Sequence, residues 1–309
     1  MAVVGATATG KSALGLALAE RLPGGGEIVN ADALQVYRGF DLGTAKPDAA
    51  ARRRVPHHLL DILEPHERYS AGEFARLARR AITEILARGR WPIVVGGSGL
   101  YLRALFSGIS PIPAADPRVR ERLRRRAAAE GLGPLAAELA RLDPETAARL
   151  APADRQRVLR ALEVALVSGR PLSAWIAEQP FGTQSIAAIR VGLTLPRSIL
   201  YDRIAGRVAH MVESGWLAEV RSLLGRGLGP DLPAFQAIGY RQLVHHARGE
   251  WPLARAVEET VRATRRFAKR QETWFRKEPD VTWFSAEDLD ARIPQVLEHV
   301  QRGLGEGRG

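Results

Sequence analysis

Short apolar runs alternate with amphipathic helical patterns over the first third of the chain. Apolar runs at 2–4, 27–30 and 93–95 predict β-strands. Apolar residues at helical spacing predict helices over 13–21 and 71–88, and Ser70 with Glu73 forms a capping box at the start of the second. Such alternation is typical of a parallel sheet covered by helices, so residues 1–112 are predicted to begin an α/β core.

The pattern changes after a proline-rich segment, SPIPAADP, at 110–117. Residues 113–183 carry helical periodicity with many Ala, Arg and Glu, which predicts an inserted all-helical module. Residues 186–195 then predict a return to the sheet, followed by helices over 197–225, near 237–247 and over 253–277. The second part of the core is therefore assigned to 184–302, and the glycine-rich tail at 303–309 is expected to fray.

The composition limits the class of protein. The 309 residues suggest about two domains. No apolar run approaches the ~18 residues of a membrane helix, and no signal peptide pattern precedes the first strand. The absence of cysteine excludes disulfides and thiolate zinc sites and favours the cytoplasm. The net charge of +11 is typical of a protein with a polyanionic partner, although an arginine-rich proteome would give the same excess.

The first strand leads into the spacing of a phosphate-binding P-loop, GATATGKS. Its glycines allow successive backbone N–H groups to face one anion, and the following helix offers its positive N-terminal end. A lysine beside the anion and a hydroxyl that can hold Mg²⁺ complete the pattern. The motif predicts a ligand with at least two phosphates, with magnesium at Ser12, bound by Gly5, Ala6, Thr7, Ala8, Thr9, Gly10, Lys11 and Ser12.

Two further segments follow predicted strands and are expected to meet the P-loop, because ligands bind at the carboxyl ends of parallel strands. Asp32 follows the second strand, and Gly96-Gly97-Ser98-Gly99 follows the third. A carboxylate near a diphosphate can ligate the metal or act as a base, and the alternative is a helix N-cap. Polar residues after Asp32 are candidates for contacts with a base or the anion: Gln35, Tyr37, Thr44 and Lys46.

Two arginine-rich helical segments are candidates for RNA contact. In the second, at 253–277, a basic row lies next to Trp274 and Phe275, as in stacking surfaces for unpaired bases. A solvated helix face is the alternative in both cases. The basic residues are Arg118, Arg120, Arg122, Arg124, Arg125 and Arg126 in the first, and Arg262, Arg265, Arg266, Lys269 and Arg270 in the second. The inner stripe predicted for the second helix is Val257, Val261, Thr264, Ala268 and Phe275.

Several blocks, in order along nearly the whole chain, resemble the tRNA dimethylallyltransferase (tRNA isopentenylpyrophosphate transferase) family. They include GATATGKS at 5–12, NADALQVYRGFDLGTAKP at 30–47, VVGGSGLYLRAL at 94–105 and TRRFAKRQETWFR at 264–276. Departures are modest, such as Ala33 where the family usually has serine and Ala6 where it has proline. The resemblance implies a P-loop NTPase-like core. It also implies transfer of a dimethylallyl group from dimethylallyl diphosphate to the N6 amine of adenosine 37, in tRNAs that read codons beginning with U.

The resemblance also implies roles for individual residues. Asp32 would be the general base, while Lys11 and Arg207, with Mg²⁺ at Ser12, would stabilise the leaving diphosphate. The helical module would bind the anticodon stem-loop. The predicted tRNA-binding residues are Asp32, Ala33, Leu34, Gln35, Ser98, Arg120, Gln156, Arg157, Val158, Leu159, Arg160, Arg265, Arg266, Lys269 and Arg270.

Three other functions compete with this interpretation. An enzyme that prenylates free adenine nucleotides is the nearest, and it would not need the helical module or the basic final helix. A P-loop small-molecule kinase would share the fold and the first motif. An RNA-binding protein with an inactive P-loop predicts loss of Lys11 or Asp32, and both are present. We expect a monomeric cytoplasmic enzyme with no membrane partner.

Overall fold

A six-stranded parallel sheet forms the centre of the computed structural model, which describes residues 1–180 and 185–306. The strand order is β3-β2-β4-β1-β5-β6, and every pairing is parallel. Strands β1 and β2 are buried along their whole length, as expected for a sheet covered on both faces. The predicted α/β class is confirmed. The strands are β1 (Ala2–Gly5), β2 (Gly26–Asn30), β3 (His57–His58), β4 (Trp91–Gly96), β5 (Arg190–Thr194) and β6 (Val281–Ser285).

The chain divides into two compact units, Met1–Leu105 with Ala187–Gly309, and Phe106–Ile186. The first contains the sheet. Its helices are α1 (Lys11–Arg21), α2 (Ala49–Arg54), α3 (Ala71–Ala87), α4 (Gly99–Ser107, which runs into the second unit), α10 (Arg197–Glu213), α11 (Trp216–Gly225), α12 (Tyr240–Ala247), α13 (Leu253–Phe275) and α14 (Leu289–Glu306).

The second unit is helical throughout its described part. Its helices are α5 (Pro117–Ala129), α6 (Gly133–Leu142), α7 (Pro144–Arg149), α8 (Arg155–Ser168) and α9 (Leu172–Glu178). A small core of its own includes Leu123, Leu139 and Leu162. The unit begins seven residues before the predicted boundary at 113, because the Ile186 N–H donates to the Phe106 carbonyl at 2.8 Å and joins the two ends. The other predicted boundary, 183, lies outside the described residues.

Three features differ from the expected elements. The helix predicted over 197–225 is interrupted at Gly215, whose φ of 100° begins a separate helix. The tail expected to fray is helical as far as residue 306, because Gly303 packs against Ile189 and Leu304 joins the core; residues 307–309 lie outside the described part. Strands β3 and β6 were not predicted.

The sheet positions the candidate site at one edge. Strands β1, β2 and β4 run in the same direction and end at Gly5, Asn30 and Gly96. The P-loop, Asp32 and the Gly-Ser turn therefore follow neighbouring strand ends. Among the described residues, no helix is both long and apolar enough to cross a membrane.

Candidate active site

The backbone of the P-loop forms a tight turn before α1 begins. Gly5 and Gly10 have φ values of 140° and 94°, in the region that favours glycine. A Cβ on Gly5 would lie 2.6 Å from the Leu193 carbonyl of the neighbouring strand. The Thr9 hydroxyl donates to the Ala6 carbonyl at 2.9 Å and closes the loop. This conformation places the start of α1, with its free N–H groups, at the rim of a cavity.

Two cations, Lys11 and Arg207, lie at this loop, and neither pairs with a carboxylate of the described residues. The Lys11 ammonium donates to the Ala6 carbonyl, and Arg207 on α10 donates from Nη1 to the Thr7 hydroxyl at 3.3 Å. Burial and the Arg207 charge lower the pKa of Lys11 to about 7, partly offset by Asp32. Burial also lowers the pKa of Arg207. Within the described part of the chain neither cation forms an ion pair, so both are available to an anionic ligand.

Asp32 caps a turn with only one of its two oxygens. Its Oδ1 accepts the N–H groups of Leu34 at 2.8 Å and Gln35 at 3.4 Å. The capping alternative considered from the sequence thus applies to this oxygen, at a turn instead of a helix. No described hydrogen bond involves Oδ2, and the carboxylate lies near enough to Lys11 to oppose the lowering of its pKa.

A cavity of about 540 Å³ brings these groups together. Lys11, Asp32, Ser98 and Arg207 all line it, so the three segments that follow the strand ends face one space. Much of the remaining wall is apolar and was not predicted; it includes Val208, Met211, Trp216, Ile238 and Phe267. Ala33, Leu34 and Gln35 line the cavity as well.

The polar residues after Asp32 mainly hold their own loop. The Gln35 amide donates to the carbonyls of Thr44 and Ala45 at 3.0 and 3.2 Å. Tyr37 is buried, and its hydroxyl donates to the Glu67 carbonyl at 3.2 Å. Lys46 is buried against Asp61, at 2.6 Å. The expectation that Tyr37 contacts a base and Lys46 the anion is therefore wrong, because internal partners occupy both side chains.

Gln271 on α13 joins the P-loop to the turn after β4, and sequence analysis missed it. Its Oε1 accepts the Thr7 N–H at 2.8 Å, and its Nε2 donates to the Gly97 carbonyl at 2.9 Å. The signal available in the sequence was a polar residue between Ala268 and Phe275 on the buried face of an amphipathic helix.

The basic residues of α13 divide into two groups. Arg266, Lys269 and Arg270 are exposed, and Arg270 also reaches the cavity. Arg265 lies inward instead, with its guanidinium 4.9 Å from the centre of the Tyr201 ring and Nη2 3.5 Å from the Tyr201 carbonyl. Arg265 therefore supports packing.

The aromatic residues at the end of α13 do not form a free stacking surface. Phe275 is 2% exposed and belongs to the core. The Arg103 guanidinium covers the Trp274 ring at 4.4 Å, and Gly99 packs against the indole. The predicted interleaving of these two aromatics with charge is wrong, because both rings already have protein neighbours.

In the second unit, two predicted tRNA-binding arginines share one carboxylate. Arg120 and Arg160 donate to the same oxygen of buried Glu163, at 2.6 and 2.9 Å. Val158 is buried in the unit core with Leu159 packed against it, so the Val158 side chain is unavailable to RNA. Among the residues predicted to contact RNA on α8 and α5, those that are exposed are Gln156, Arg157, Arg118, Arg122, Arg124 and Arg125.

Comparison with known proteins identifies the family. The family model for IPP transferase matches residues 35–278. A tRNA dimethylallyltransferase of Halorhodospira halophila is 49% identical over 310 residues, covering 99% of this chain and 98% of the relative. A counterpart from Syntrophobacter fumaroxidans is 47% identical over 298 residues, covering 96% and 86%.

Solved structures agree with this assignment. The full-length tRNA isopentenylpyrophosphate transferase of Bacillus halodurans is 39% identical, with a TM-score of 0.72 and coverage of 99% of this chain and 96% of that one. A eukaryotic dimethylallyltransferase acting on tRNA is 27% identical, with a TM-score of 0.78 and coverage of 94% and 74%. The chain therefore belongs to the IPP transferase family of prenyl-transferring enzymes.

Proposed function

We propose that this enzyme transfers the dimethylallyl group of dimethylallyl diphosphate to the N6 amine of adenosine 37, in tRNAs that read codons beginning with U. The products are N6-isopentenyladenosine and diphosphate. The observation that carries the proposal is the single cavity lined by Asp32, Lys11 and Arg207, in which one carboxylate faces two cations without ion-pair partners among the described residues. The relatives named tRNA dimethylallyltransferase support the choice of donor and acceptor.

The leaving group is the diphosphate. As the bond between the prenyl carbon and oxygen breaks, negative charge develops on that oxygen, and fixed cations at this position stabilise the transition state. Lys11 and Arg207 face the cavity at the P-loop, where the first N–H groups of α1 add partial positive charge. Bound diphosphate also raises the pKa of Lys11 from about 7 and keeps the ammonium charged.

The nucleophile is the N6 amine, which loses a proton as the carbon–nitrogen bond forms. Asp32 is the base: the backbone N–H groups of Leu34 and Gln35 hold Oδ1, which leaves Oδ2 to accept the proton. The target base leaves its stack to reach the cavity, as base-modifying enzymes require. The apolar wall around Met211 and Phe267 is suited to the prenyl chain.

Magnesium fits the oxygen donors at the P-loop. Mg²⁺ typically takes one or two protein oxygens and completes its shell with phosphate oxygens and water. The Ser12 hydroxyl supplies such an oxygen on the cavity wall, beside the P-loop groups that would hold the diphosphate. When bound, the ion would neutralise charge on the diphosphate.

Exposed cations on α13 and in the second unit would hold the anticodon stem-loop through its phosphates. Arg266 and Lys269 on α13, with Arg122 on α5, are suitable because their side chains are exposed. We propose that the enzyme acts as a monomer in the cytoplasm, since one chain supplies the whole cavity and contains no cysteine.

A prenyl-transfer assay tests the proposal. Dimethylallyl diphosphate labelled in the prenyl group is incubated with Mg²⁺ and an anticodon stem-loop that contains A36 and A37. The matched control is the same stem-loop with inosine at position 37, which lacks the N6 amine. Free AMP is tested in parallel, and each reaction is repeated with EDTA.

Label on the adenosine stem-loop, with none on the inosine control, is the expected result, and EDTA should abolish it. Label on AMP alone would instead assign the enzyme to free nucleotides. Transfer to neither acceptor would contradict the proposed reaction, and phosphate transfer from ATP would then be tested.

A further inference from the structure

We propose that Gln271 is a positioning residue, which aligns the P-loop with the turn after β4. It thereby holds Thr7 in place, and with it the contact between Thr7 and Arg207 at the diphosphate site. The inference rests on the proposed function, because it assigns Gln271 a part in diphosphate departure. Gln271 itself is not placed to react, since both ends of its amide already have backbone partners.

The orientation of the amide follows from its partners. A backbone N–H can only donate, and a backbone carbonyl can only accept. Oε1 must therefore face the Thr7 N–H, at 2.8 Å, and Nε2 must face the Gly97 carbonyl, at 2.9 Å. The side chain is 7% exposed, so water does not readily replace either bond.

The turn after β4 is shaped to receive this amide. A Cβ on Gly97 would lie 2.3 Å from the Gln271 nitrogen. Any other residue at position 97 would therefore displace the amide. Glycine at this position is what allows Gln271 to reach the Gly97 carbonyl.

One side chain thus connects the two walls of the cavity. On the P-loop side, the residue it holds is Thr7, whose hydroxyl accepts a hydrogen bond from Arg207 at 3.3 Å. On the other side, Gly97 directly precedes Ser98, which lines the cavity. Loss of the Gln271 amide would free Thr7 to move, and with it the contact that orients Arg207 toward the diphosphate.

The test is a double-mutant cycle between Gln271 and Thr7. Gln271→Met keeps the length of the side chain and removes both hydrogen bonds, while Thr7→Ala removes the hydroxyl that contacts Arg207. We measure single-turnover prenyl transfer at saturating concentrations of both substrates, with the melting temperature of each variant. Thr273→Ala, at an exposed position of the same helix, is the matched control.

We expect each single variant to transfer about 10–100-fold more slowly than the wild type, the cost of a small misplacement of reacting groups. If Gln271 acts through Thr7, the double variant should be within about 3-fold of Thr7→Ala, because interacting residues are not additive. A purely structural role predicts a lower melting temperature and effects that multiply. Multiplicative effects, or an unchanged rate in Gln271→Met, would overturn the proposal.

A second variant and a binding measurement complete the test. If Gln271→Met does not fold, Gln271→Leu enters the same cycle, because it also removes both hydrogen bonds. Binding of inorganic diphosphate is measured by calorimetry and does not require transfer. Gln271→Met should weaken it about 3–10-fold through the loosened Thr7–Arg207 contact, and Thr273→Ala should not. If the wild type transfers no prenyl group, the proposed function fails, whereas unchanged diphosphate affinity in Gln271→Met counts against the role of Gln271.

Discussion

Strand β2 has a charged cluster at each end, and the two clusters are built in opposite ways. At its start, Glu27 is only 5% exposed in its side chain and contacts Arg88 at 2.7 Å and His58 at 2.6 Å. Just beyond its end, Asp32 shares a cavity with Lys11 and Arg207, and neither cation forms an ion pair in the described part of the chain. The charges of the first cluster pair with one another, whereas the two cations of the second have no ion-pair partner among the described residues.

The difference separates stability from function. Burial raises the pKa of Glu27, but hydrogen bonds from Arg88 and His58 outweigh it and hold the pKa below its ordinary value. Charges paired in this way stabilise the folded chain. At the other end, burial lowers the pKa of Lys11 and Arg207 although the Asp32 charge opposes this, so the fold there holds charges that a bound anion would stabilise further. Such a site is costly to the fold and useful to a diphosphate.

The largest effect is expected at Asp32. Asp32→Ala should slow the chemical step by about 10²–10⁴-fold, the range for a positioned base, and leave tRNA affinity nearly intact. The measurements are single-turnover prenyl transfer and tRNA binding. An unchanged single-turnover rate would remove Asp32 from the role of base.

Lys11→Met tests one of the two cations that share the cavity with Asp32. Removal of a fixed cation from the leaving group should lower the transfer rate by about 10²–10³-fold. Because Lys11 has no ion-pair partner among the described residues, its loss should not lower the melting temperature. If Lys11→Met instead destabilised the chain as a paired charge would, the contrast between the two ends of β2 would not hold.

On α13 the comparison is between cations that are exposed and one that packs against the protein. Neutralising exposed Arg266 and Lys269 to Gln should weaken tRNA binding about 10-fold near 0.1 M salt, and lower the slope of log affinity against log salt by about 1–2. Arg265→Gln is the control, because this side chain packs on Tyr201. It should reduce stability and leave the salt slope unchanged. An unaltered slope in the Arg266 and Lys269 variant would place the RNA elsewhere.

The strand ends were predictable because local patterns specify them. Each of β1, β2 and β4 is an apolar run that ends in glycine or a polar residue, and a parallel sheet brings such ends together. Strand β3 has only two residues, His57 and His58, and takes its conformation from its neighbour β2. Strand β6, VTWFS, does carry the β-branched and aromatic residues that favour a strand, and this short signal was missed.

Side-chain orientation on α13 was less predictable. Of the predicted inner stripe, Ala268 and Phe275 are buried and Val261 packs against the core in a half-buried position. The buried residues that the stripe left out are Ala256, Thr260, Ala263 and Gln271. The buried face is therefore wider than the predicted stripe, and Arg265, which lies outside it, packs its guanidinium on the ring of Tyr201 in α10. Arg207 shows a different limit. Its contact with Thr7 joins residues 200 positions apart, so only the family resemblance indicated it.

The smallest effect is expected from Glu27→Gln, which removes the carboxylate that pairs with Arg88 and His58. The melting temperature at pH 7 should fall by about 2–4 °C, because Glu27 is buried but its partners Arg88 and His58 keep contact with water. The prenyl-transfer rate per folded molecule should be unchanged. Glu84→Gln, which removes the carboxylate of an exposed pair with Arg80, is the matched control and should melt close to the wild type.

The dependence on pH identifies the cause. Since the folded-state pKa of Glu27 is below the ordinary 4.5, its contribution to stability is complete above that value and is lost as the pH falls through the folded-state pKa. The difference in melting temperature between wild type and Glu27→Gln should therefore be full at neutral pH and shrink in acid. A difference that persisted in acid would mean that shape, and not charge, holds this end of β2. A variant that lost transfer and kept its stability would show that the two ends of the strand are not separate in function.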